Sequence, residues 1–235
     1  MKLNMENNSA ALFWSGGKDS AFALWNLQNE NQLNIKYLVT TINRNFNRVS
    51  MHGLREEIVE KQVNETGYPL LKMYVEGGSN EDYEASLSGI IKKLKEEGIN
   101  NIVFGDIFLD DLRDYRDNIL KSFEVKGIYP LWKKDTANLL NEMNTAGFRT
   151  IICCVNAAVL DENFAGKELG AISSSMPETI DPCGENGEFH TFCFEGPIFH
   201  EKIPFSLGEK IFKPIEMKKE DGETIKAGYW FIDIV

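Results

Sequence analysis

The hexapeptide Ser15-Gly16-Gly17-Lys18-Asp19-Ser20 follows an apolar run at residues 10–14 and precedes a segment with helical periodicity. Four apolar residues between positions 22 and 27 can share one broad face of that segment. The stretch therefore predicts a strand, a glycine turn and a helix in direct succession.

The residue types in this turn favour an anion-binding loop. Two glycines let the backbone turn sharply and approach a ligand, and the first helical turn presents unpaired N–H groups. Lys18 adds a full positive charge, and Ser15 and Ser20 add hydroxyl donors. Asp19 or Ser20 could instead cap the helix, which would be a structural use of the same residues.

The loop is not a Walker A motif, because Leu12 and Asp19 stand where that motif requires a glycine and a Ser or Thr. It resembles the pyrophosphate loop of the PP-loop ATP pyrophosphatases, a group whose members include enzymes that activate a carbonyl or carboxyl oxygen as an adenylate. This resemblance implies a HUP-type domain that binds ATP through Ser15, Gly16, Gly17, Lys18, Asp19 and Ser20.

Composition limits the classes of partner. The chain has 235 residues and a formal net charge of −11, which argues against a non-specific nucleic-acid or anionic-membrane surface. No apolar stretch approaches the roughly 18 residues of a membrane helix, and the N-terminal residues lack a signal-peptide core. We therefore expect a cytoplasmic protein for which nucleic acid is an unlikely partner.

The cysteines give no metal-binding pattern. Cys153, Cys154, Cys183 and Cys193 form no Cys-x-x-Cys pair, and no pair of His residues has zinc-finger spacing. We expect Cys153 and Cys154 to be buried free thiols, whereas Cys183 and Cys193 are possible sulfur carriers in a tRNA-modifying alternative. We assign no residue as a metal ligand.

Strands and helices alternate along the first half of the chain. Strands are predicted near residues 10–14, 36–42, 70–75 and 101–104, with helical patterns between them. This alternation indicates an α/β fold with a parallel sheet and helices on both faces. From about residue 128 the alternation weakens, so we predict an ATP-binding domain over residues 1–127 and a smaller α+β domain over residues 128–235.

Ligands collect at the carboxyl ends of parallel strands. Thr41 lies at the end of the second predicted strand and His52 follows it, and Gly105 and Asp106 follow the fourth. We expect all four near the nucleotide, although loop solvation explains His52, and capping of the next helix explains Asp106, about as well.

A second dense stretch reads Asp181-Pro-Cys-Gly-Glu-Asn-Gly-Glu-Phe-His-Thr-Phe192. Exposed turns also use Asp, Asn and Gly freely, so composition alone does not decide its role. Together with the N-terminal loop, this stretch resembles the diphthine–ammonia ligase family, whose second domain carries a Cys-Gly-Glu-x-Gly-Glu-aromatic-x-Thr-Phe signature. The resemblance covers about residues 10–199.

The resemblance implies site residues. With Lys18 it implies catalytic roles for Glu185 and Glu188, which would position ammonium and accept its proton. Substrate-binding roles are implied for Arg113, Asp181, Gly184, Asn186, Gly187 and His190. The segment Leu109-Asp110-Asp111-Leu112-Arg113 lacks the Tyr-Gln typical of diphthamide-making members. This departure resembles the bacterial branch of the family and implies an acceptor other than diphthine.

The implied reaction is an ATP-dependent ligation. ATP, with Mg²⁺, would activate an acceptor carboxylate as an acyl-adenylate and release pyrophosphate, and ammonia would then displace AMP. The acceptor would be a small molecule or a protein-borne group. A tRNA-modifying PP-loop enzyme and a non-catalytic ATP sensor stay as alternatives. A homodimer through the apolar runs at residues 203–205 and 227–232 is a further hypothesis; packing of the C-terminal strand on its own domain is the other use of these runs.

Overall fold

The computed structural model describes residues 8–31, 33–76, 79–218 and 224–235, with the backbone alone at residues 215–218 and 224–227. The chain begins with a sheet of six strands. Their bounds are β1 Ser9–Phe13, β2 Asn34–Asn43, β3 Arg48–Val49, β4 Leu70–Val75, β5 Asn101–Val103 and β6 Lys126–Ile128. Four helices belong to this unit, namely α1 Lys18–Glu30, α2 Glu56–Asn64, α3 Asn80–Glu96 and α4 Asp110–Ser122.

The first sheet is parallel except at one hairpin. β1 lies between β2 and β5, β4 extends the sheet beyond β2, and β6 extends it beyond β5, all in parallel. β3 pairs antiparallel with the end of β2, which the strand–helix alternation did not predict. Ala10, Ala11 and Leu12 of β1 are fully buried, as expected for a parallel strand covered on both faces.

The second unit is an antiparallel sheet with short helices. Its elements are α5 Thr136–Thr145, β7 Arg149–Asn156, α6 Leu169–Ile172, β8 Phe189–Glu195, β9 Leu207–Lys218 and β10 Thr224–Ile234. The strand order is β8-β7-β10-β9. The predicted α/β unit followed by a smaller α+β unit is confirmed. No helix in the described part of the chain has the length and apolar character needed to cross a membrane.

Two further sequence predictions concern this unit. The apolar run at residues 227–232 lies in β10 between β7 and β9, so the C-terminal strand does pack on its own sheet. The homodimer hypothesis stays a prediction. The domain boundary at 127/128 also stays a prediction, and β6, which pairs with β5, extends across it to Ile128.

One hydrophobic core crosses from the first unit to the second. On α1, Phe22 and Trp25 stack on each other and meet Phe148 edge-on, with ring centroids 5.5 and 6.2 Å from Phe148. The same buried cluster includes Ile152 of β7 and Phe192 of β8. The relative position of the units is therefore fixed by packed side chains.

A buried amide reinforces this junction. Gln62 of α2 is fully buried. Its Oε1 accepts from Trp14 Nε1 at 2.8 Å, and its Nε2 donates to Gly16 O at 2.9 Å and to Cys193 O at 2.6 Å. One side chain thus connects the strand and loop of the first unit with β8 of the second.

We expect Gln62→Leu to lower the free energy of unfolding by about 3 kcal/mol, because it leaves the buried Trp14 N–H and Cys193 carbonyl without partners. Urea denaturation followed by fluorescence measures this change. Gln28→Leu is the matched control, since Gln28 makes a single 3.3 Å bond to the Tyr68 hydroxyl and should cost under about 1 kcal/mol. Equal losses in both variants would contradict the role assigned to Gln62.

Candidate active site

The first signature forms a tight loop between β1 and α1. Gly16 has φ +81°, and a Cβ there would lie 2.8 Å from Leu54 Cδ1. Gly17 is the N-cap of α1 and receives no side-chain cap. Ser15 Oγ accepts from Gly17 N at 3.2 Å, and Ser20 Oγ donates to Gly17 O at 3.0 Å. Neither Asp19 nor Ser20 caps the helix, so the structural alternative for these residues does not hold.

Lys18 is buried, with 2% of its surface exposed. Its Nζ donates to Asp19 Oδ2 at 2.8 Å and to the carbonyl oxygen of Cys183. Burial alone would lower the pKa of Lys18, but the charge of Asp19 and its hydrogen bond to Lys18, with the charge of Glu185, outweigh burial and raise it. Lys18 therefore carries a positive charge inside the protein at neutral pH.

Strand β8 of the second unit lies directly against this loop. Thr191 Oγ1 accepts from Lys18 N at 3.0 Å, and Cys193 N donates to Gly16 O at 2.8 Å. A Cβ on Gly17 would lie 2.6 Å from His52 Cε1 and 3.0 Å from Thr191 O. Gly17 is thus required for the close approach of His52 and of Thr191 of the second unit.

A cavity of about 960 Å³ opens beside the loop, between the two units. That volume is in the range of sites for small-molecule ligands. Most predicted site residues line it, namely Ser15, Lys18, Asp19, Ser20, Thr41, His52, Gly105, Asp106, Gly184, Glu185, Asn186, Gly187 and His190. Gly16 and Gly17 shape its loop through their backbone. Arg113, Asp181 and Glu188 are not among the lining residues.

The end of β5 supplies an ion pair to the cavity. Asp106 Oδ2 accepts from Arg116 Nη1, and the N-cap of α4 is Leu109 without a side-chain cap, so Asp106 is not a helix cap. A Cβ on Gly105 would lie 3.0 Å from Asp19 C and Ser20 N. This glycine therefore lets the strand end approach the first turn of α1.

Asp19 has an uncommitted oxygen beside this ion pair. Its Oδ1 is buried and has no hydrogen-bond partner, while Oδ2 accepts from Lys18. Burial raises the pKa of Asp19, and the Lys18 ammonium offsets part of that rise. Within the described residues, no group of three or more His, Cys, Asp and Glu side chains is arranged to hold a metal ion.

The second signature is a loop closed by its own carboxylates. Asp181 Oδ1 accepts from Cys183 N at 2.9 Å and Glu185 N at 3.1 Å, and Oδ2 accepts from the Thr136 hydroxyl at 2.6 Å. Glu188 Oε1 accepts from Asp181 N at 3.1 Å and Asn186 Nδ2 at 3.0 Å. Asp181 and Glu188 thus hold the loop in shape, whereas Glu185 points into the cavity.

Glu185 links the two units electrostatically. Its Oε1 accepts from Ile107 N at 2.7 Å and Phe108 N at 3.3 Å. Burial, with the added repulsion of Asp19, raises the pKa of Glu185 to about 7, although the bond from Ile107 opposes the shift. A carboxyl group with this pKa can both accept and release a proton at neutral pH.

Two imidazole rings lie against each other, tilted by 35°, in the wall next to the loop. The rings of His52 and His190 are 4.7 Å apart, and His52 Nδ1 donates to Thr191 O at 2.9 Å. Burial, with the charge of Lys18, lowers the pKa of His52 to about 4 against the opposing bond to Thr191, and burial lowers the pKa of His190 well below its usual range. Both rings are neutral at pH 7. The Nε2 atom of His190 is buried without a partner.

Arg113 lies outside the cavity. Its guanidinium lies 4.9 Å from the ring centroid of Tyr129 and 4.6 Å from that of Trp132, and its Nε is 3.5 Å from Asp117 Oδ2. The substrate-binding role implied for Arg113 stays a prediction without support from this geometry. The neighbouring Arg116, one turn further along α4, is the arginine that lines the cavity.

The prediction of buried free thiols at Cys153 and Cys154 is confirmed. All four cysteines are free and buried. Burial raises the pKa of Cys183 to about 12, although the Lys18 charge lowers it somewhat. Cys183 is therefore a protonated thiol whose backbone carbonyl, and not its sulfur, contacts Lys18.

Sequence reasoning missed several residues that build the site. Gln62, which contacts the loop, and the cavity-lining Arg116 belong to no sequence motif. Lys213 lines the cavity from β9, and its segment also contains no motif. Thr191 belongs to the second signature, but only the fold shows that its hydroxyl meets the first helical amide. The sequence held one indication of Arg116, namely its spacing from Arg113, because residues three apart lie on the same face of a helix.

Comparison with known proteins agrees with this arrangement. Residues 8–127 match the diphthamide synthase N-terminal domain, and residues 135–219 match the diphthamide synthase C-terminal domain. The chain is 25% identical over 219 residues to a diphthine–ammonia ligase of Danio rerio, covering 84% of this chain and 86% of that protein. It is 27% identical over 224 residues to the Rattus norvegicus enzyme of the same name, covering 84% and 82%.

These matches confirm the resemblance drawn from the two signatures. Each signature lies in one of the two matched domains, and the structure brings both to one cavity. The chain belongs to the diphthamide synthase family.

Proposed function

We propose that this chain is an ATP-dependent carbon–nitrogen ligase that activates an acceptor carboxylate as an acyl-adenylate and transfers the acyl group to ammonia. The observation that carries this proposal is that Lys18 and Glu185, from two distant signatures, line the same cavity. The relatives with matching domains are named diphthine–ammonia ligases, which supports the same class of reaction.

The first step forms the adenylate. ATP phosphates bind at the loop of residues 15–20, and a carboxylate oxygen of the acceptor attacks the α-phosphorus, which releases pyrophosphate. Lys18 is buried and charged, so it stabilises the negative charge that develops on the leaving pyrophosphate without reorganising. Thr41, His52, Gly105 and Asp106 line the remainder of the nucleotide site.

The second step forms the amide. Ammonia attacks the acyl carbon, the bond to the AMP oxygen breaks, and the attacking nitrogen, which has become cationic, loses a proton to Glu185. The pKa of about 7 suits Glu185 to this exchange. Gly184, Asn186, Gly187 and His190 line the wall that the acceptor contacts. Asp181 and Glu188 support the loop, and this geometry favours a positioning role for Glu188 over the catalytic role implied by the resemblance.

Mg²⁺ fits the chemistry of the nucleotide site. The buried, unpartnered Oδ1 of Asp19 and the neighbouring Asp106 are hard oxygen donors of the kind that Mg²⁺ prefers. These two carboxylates would hold the ion together with phosphate oxygens. A bound Mg²⁺ supplies charge neutralisation for the triphosphate.

Neither alternative class is favoured. A sulfur-transferring tRNA enzyme needs a reactive thiolate, whereas burial keeps the pKa of Cys183 near 12. A sensor needs no carboxyl group poised to exchange protons beside the nucleotide. The departure at residues 109–113 still favours an acceptor other than diphthine for this chain.

We expect Lys18→Gln to lower AMP and pyrophosphate formation by about 10²- to 10³-fold, since it removes one charge that stabilises the transition state. The glutamine retains a donor for the Cys183 carbonyl. Chromatographic separation of AMP from ADP measures the effect. Lys36→Gln, an exposed change on β2, is the control and should leave turnover unchanged. Release of ADP and phosphate by the wild-type protein would exclude an acyl-adenylate.

We expect amide formation to rise with pH through about 7, because only the deprotonated carboxylate of Glu185 accepts a proton. The assay must hold free ammonia constant, since ammonium also titrates. Glu185→Gln should lower turnover by about 10²- to 10⁴-fold and flatten this pH profile while leaving ATP affinity unchanged. Glu188→Gln is the comparison variant, and it should keep the inflection near pH 7. Loss of ATP binding in Glu185→Gln would place this residue in the nucleotide site instead.

A further inference from the structure

One side of the cavity mouth consists of four side chains, Phe46, Met51, Lys213 and Phe231, here called the mouth wall. Phe46 and Met51 lie on either side of the short strand β3, and they are 63% and 61% exposed. Lys213 and Phe231 come from β9 and β10 of the second unit. Large apolar side chains that are both exposed and part of a cavity indicate a surface that a ligand covers.

Lys213 is the one cationic member of this wall. Its Nζ lies 4.8 Å from the ring centroid of Phe46 and 5.3 Å from that of Phe231. No carboxylate among the described side chains is within salt-bridge distance of it. The nearby Arg48 and Arg55, in contrast, both pair with Asp233 at 2.8 and 2.5 Å. The charge of Lys213 is therefore available to a ligand in the cavity.

A cation without a carboxylate partner among the described side chains has particular weight at this position. The chain has a formal net charge of −11, and the other cations that line the cavity are paired, Lys18 with Asp19, Arg48 with Asp233 and Arg116 with Asp106. An anionic ligand approaching such a surface is repelled except where a local positive charge attracts it. A cationic group would meet Lys213 already placed over the two rings that could bind it.

We propose that the mouth wall is the acceptor subsite and that Lys213 determines acceptor specificity. It binds an anionic group of the acceptor other than the carboxylate that reacts, while the rings of Phe46 and Phe231 contact an apolar part of the same molecule. The proposal rests on the ligase function argued above and names the class of its substrate. An acceptor that places a cationic group against the mouth wall is disfavoured.

The test identifies the acceptor and then changes Lys213. The full chain is incubated with ATP, Mg²⁺, ¹⁵N-ammonium and a nucleotide-depleted bacterial lysate, and AMP is measured. Mass spectrometry finds the ¹⁵N-labelled amide among small molecules and digested peptides. We expect the labelled group to keep an acidic function and an apolar part. With the purified acceptor, Lys213→Gln should raise KM at least about tenfold and leave ATP affinity unchanged, because it removes one charge-assisted contact.

Two further variants complete the experiment. Lys213→Arg retains the charge and should restore most of the acceptor affinity. Lys210→Gln is the matched control on the same strand, since Lys210 donates to Glu162 O at 2.7 Å and does not line the cavity, and it should leave KM unchanged. A labelled amide without an acidic group, or an unchanged KM in Lys213→Gln, would overturn the proposal. A wild-type protein that forms neither AMP nor amide would instead overturn the ligase function, and the acceptor proposal with it.

Discussion

The hydrogen bond from Cys193 N to Gly16 O is the contact on which the site depends. It places a strand of the second unit against the loop that follows the first strand of the chain. Gln62 strengthens the same junction by donating to both Gly16 O and Cys193 O. Together with the shared core and the bonds from Ile107 N and Phe108 N to Glu185, this junction sets the position of Glu185 relative to Lys18. Neither signature would form a catalytic site by itself.

The charges of the cavity are arranged around one buried lysine. Lys18 remains protonated because the charge and hydrogen bond of Asp19, with the charge of Glu185, counter the cost of burial. For Glu185, burial together with the charge of Asp19 raises the pKa to about 7, which favours the neutral form of its carboxyl group. The two histidines stay neutral, so they shape the wall without adding charge. The surroundings of each group therefore give these side chains different pKa values, as in other sites where neighbouring titratable groups divide acid and base roles between them.

Much of this arrangement could be predicted from the sequence, because local patterns determine it. Glycine spacing and apolar periodicity predicted the loop of residues 15–20 and the strand–helix order, and the second signature predicted that Glu185 belongs to the site. The direction of each side chain in that second loop could not be predicted, since Gly184 and Gly187 have φ values of +70° and +81° that set it locally. As a result, Glu188 turns toward Asp181 while Glu185 turns toward the cavity.

The residues that no pattern revealed are those whose role arises from tertiary contacts. The two-residue strand β3 is too short for any periodicity, yet it positions the segment that carries Met51 and His52. Lys213 lies in an ordinary edge strand, and only the pairing of β9 with β10 brings it to the cavity mouth. Arg113 had the right residue type one helical turn away from the cavity-lining Arg116. Which of these two arginines faces the cavity depends on how α4 packs in the fold, and the sequence pattern does not show it.

Two donors of the loop at residues 15–20, the proposed phosphate site, are already engaged within the protein. Thr191 accepts from Lys18 N, and the Cys183 carbonyl accepts from Lys18 Nζ. A triphosphate that takes these donors must exchange with the second unit for them, so nucleotide affinity is a difference between two sets of bonds. By thermodynamic reciprocity, whatever loosens the second unit from the loop strengthens nucleotide binding, and bound nucleotide loosens that contact to the same extent. If ATP binds at this loop as proposed, residues of β8 would influence ATP affinity whether or not they touch ATP.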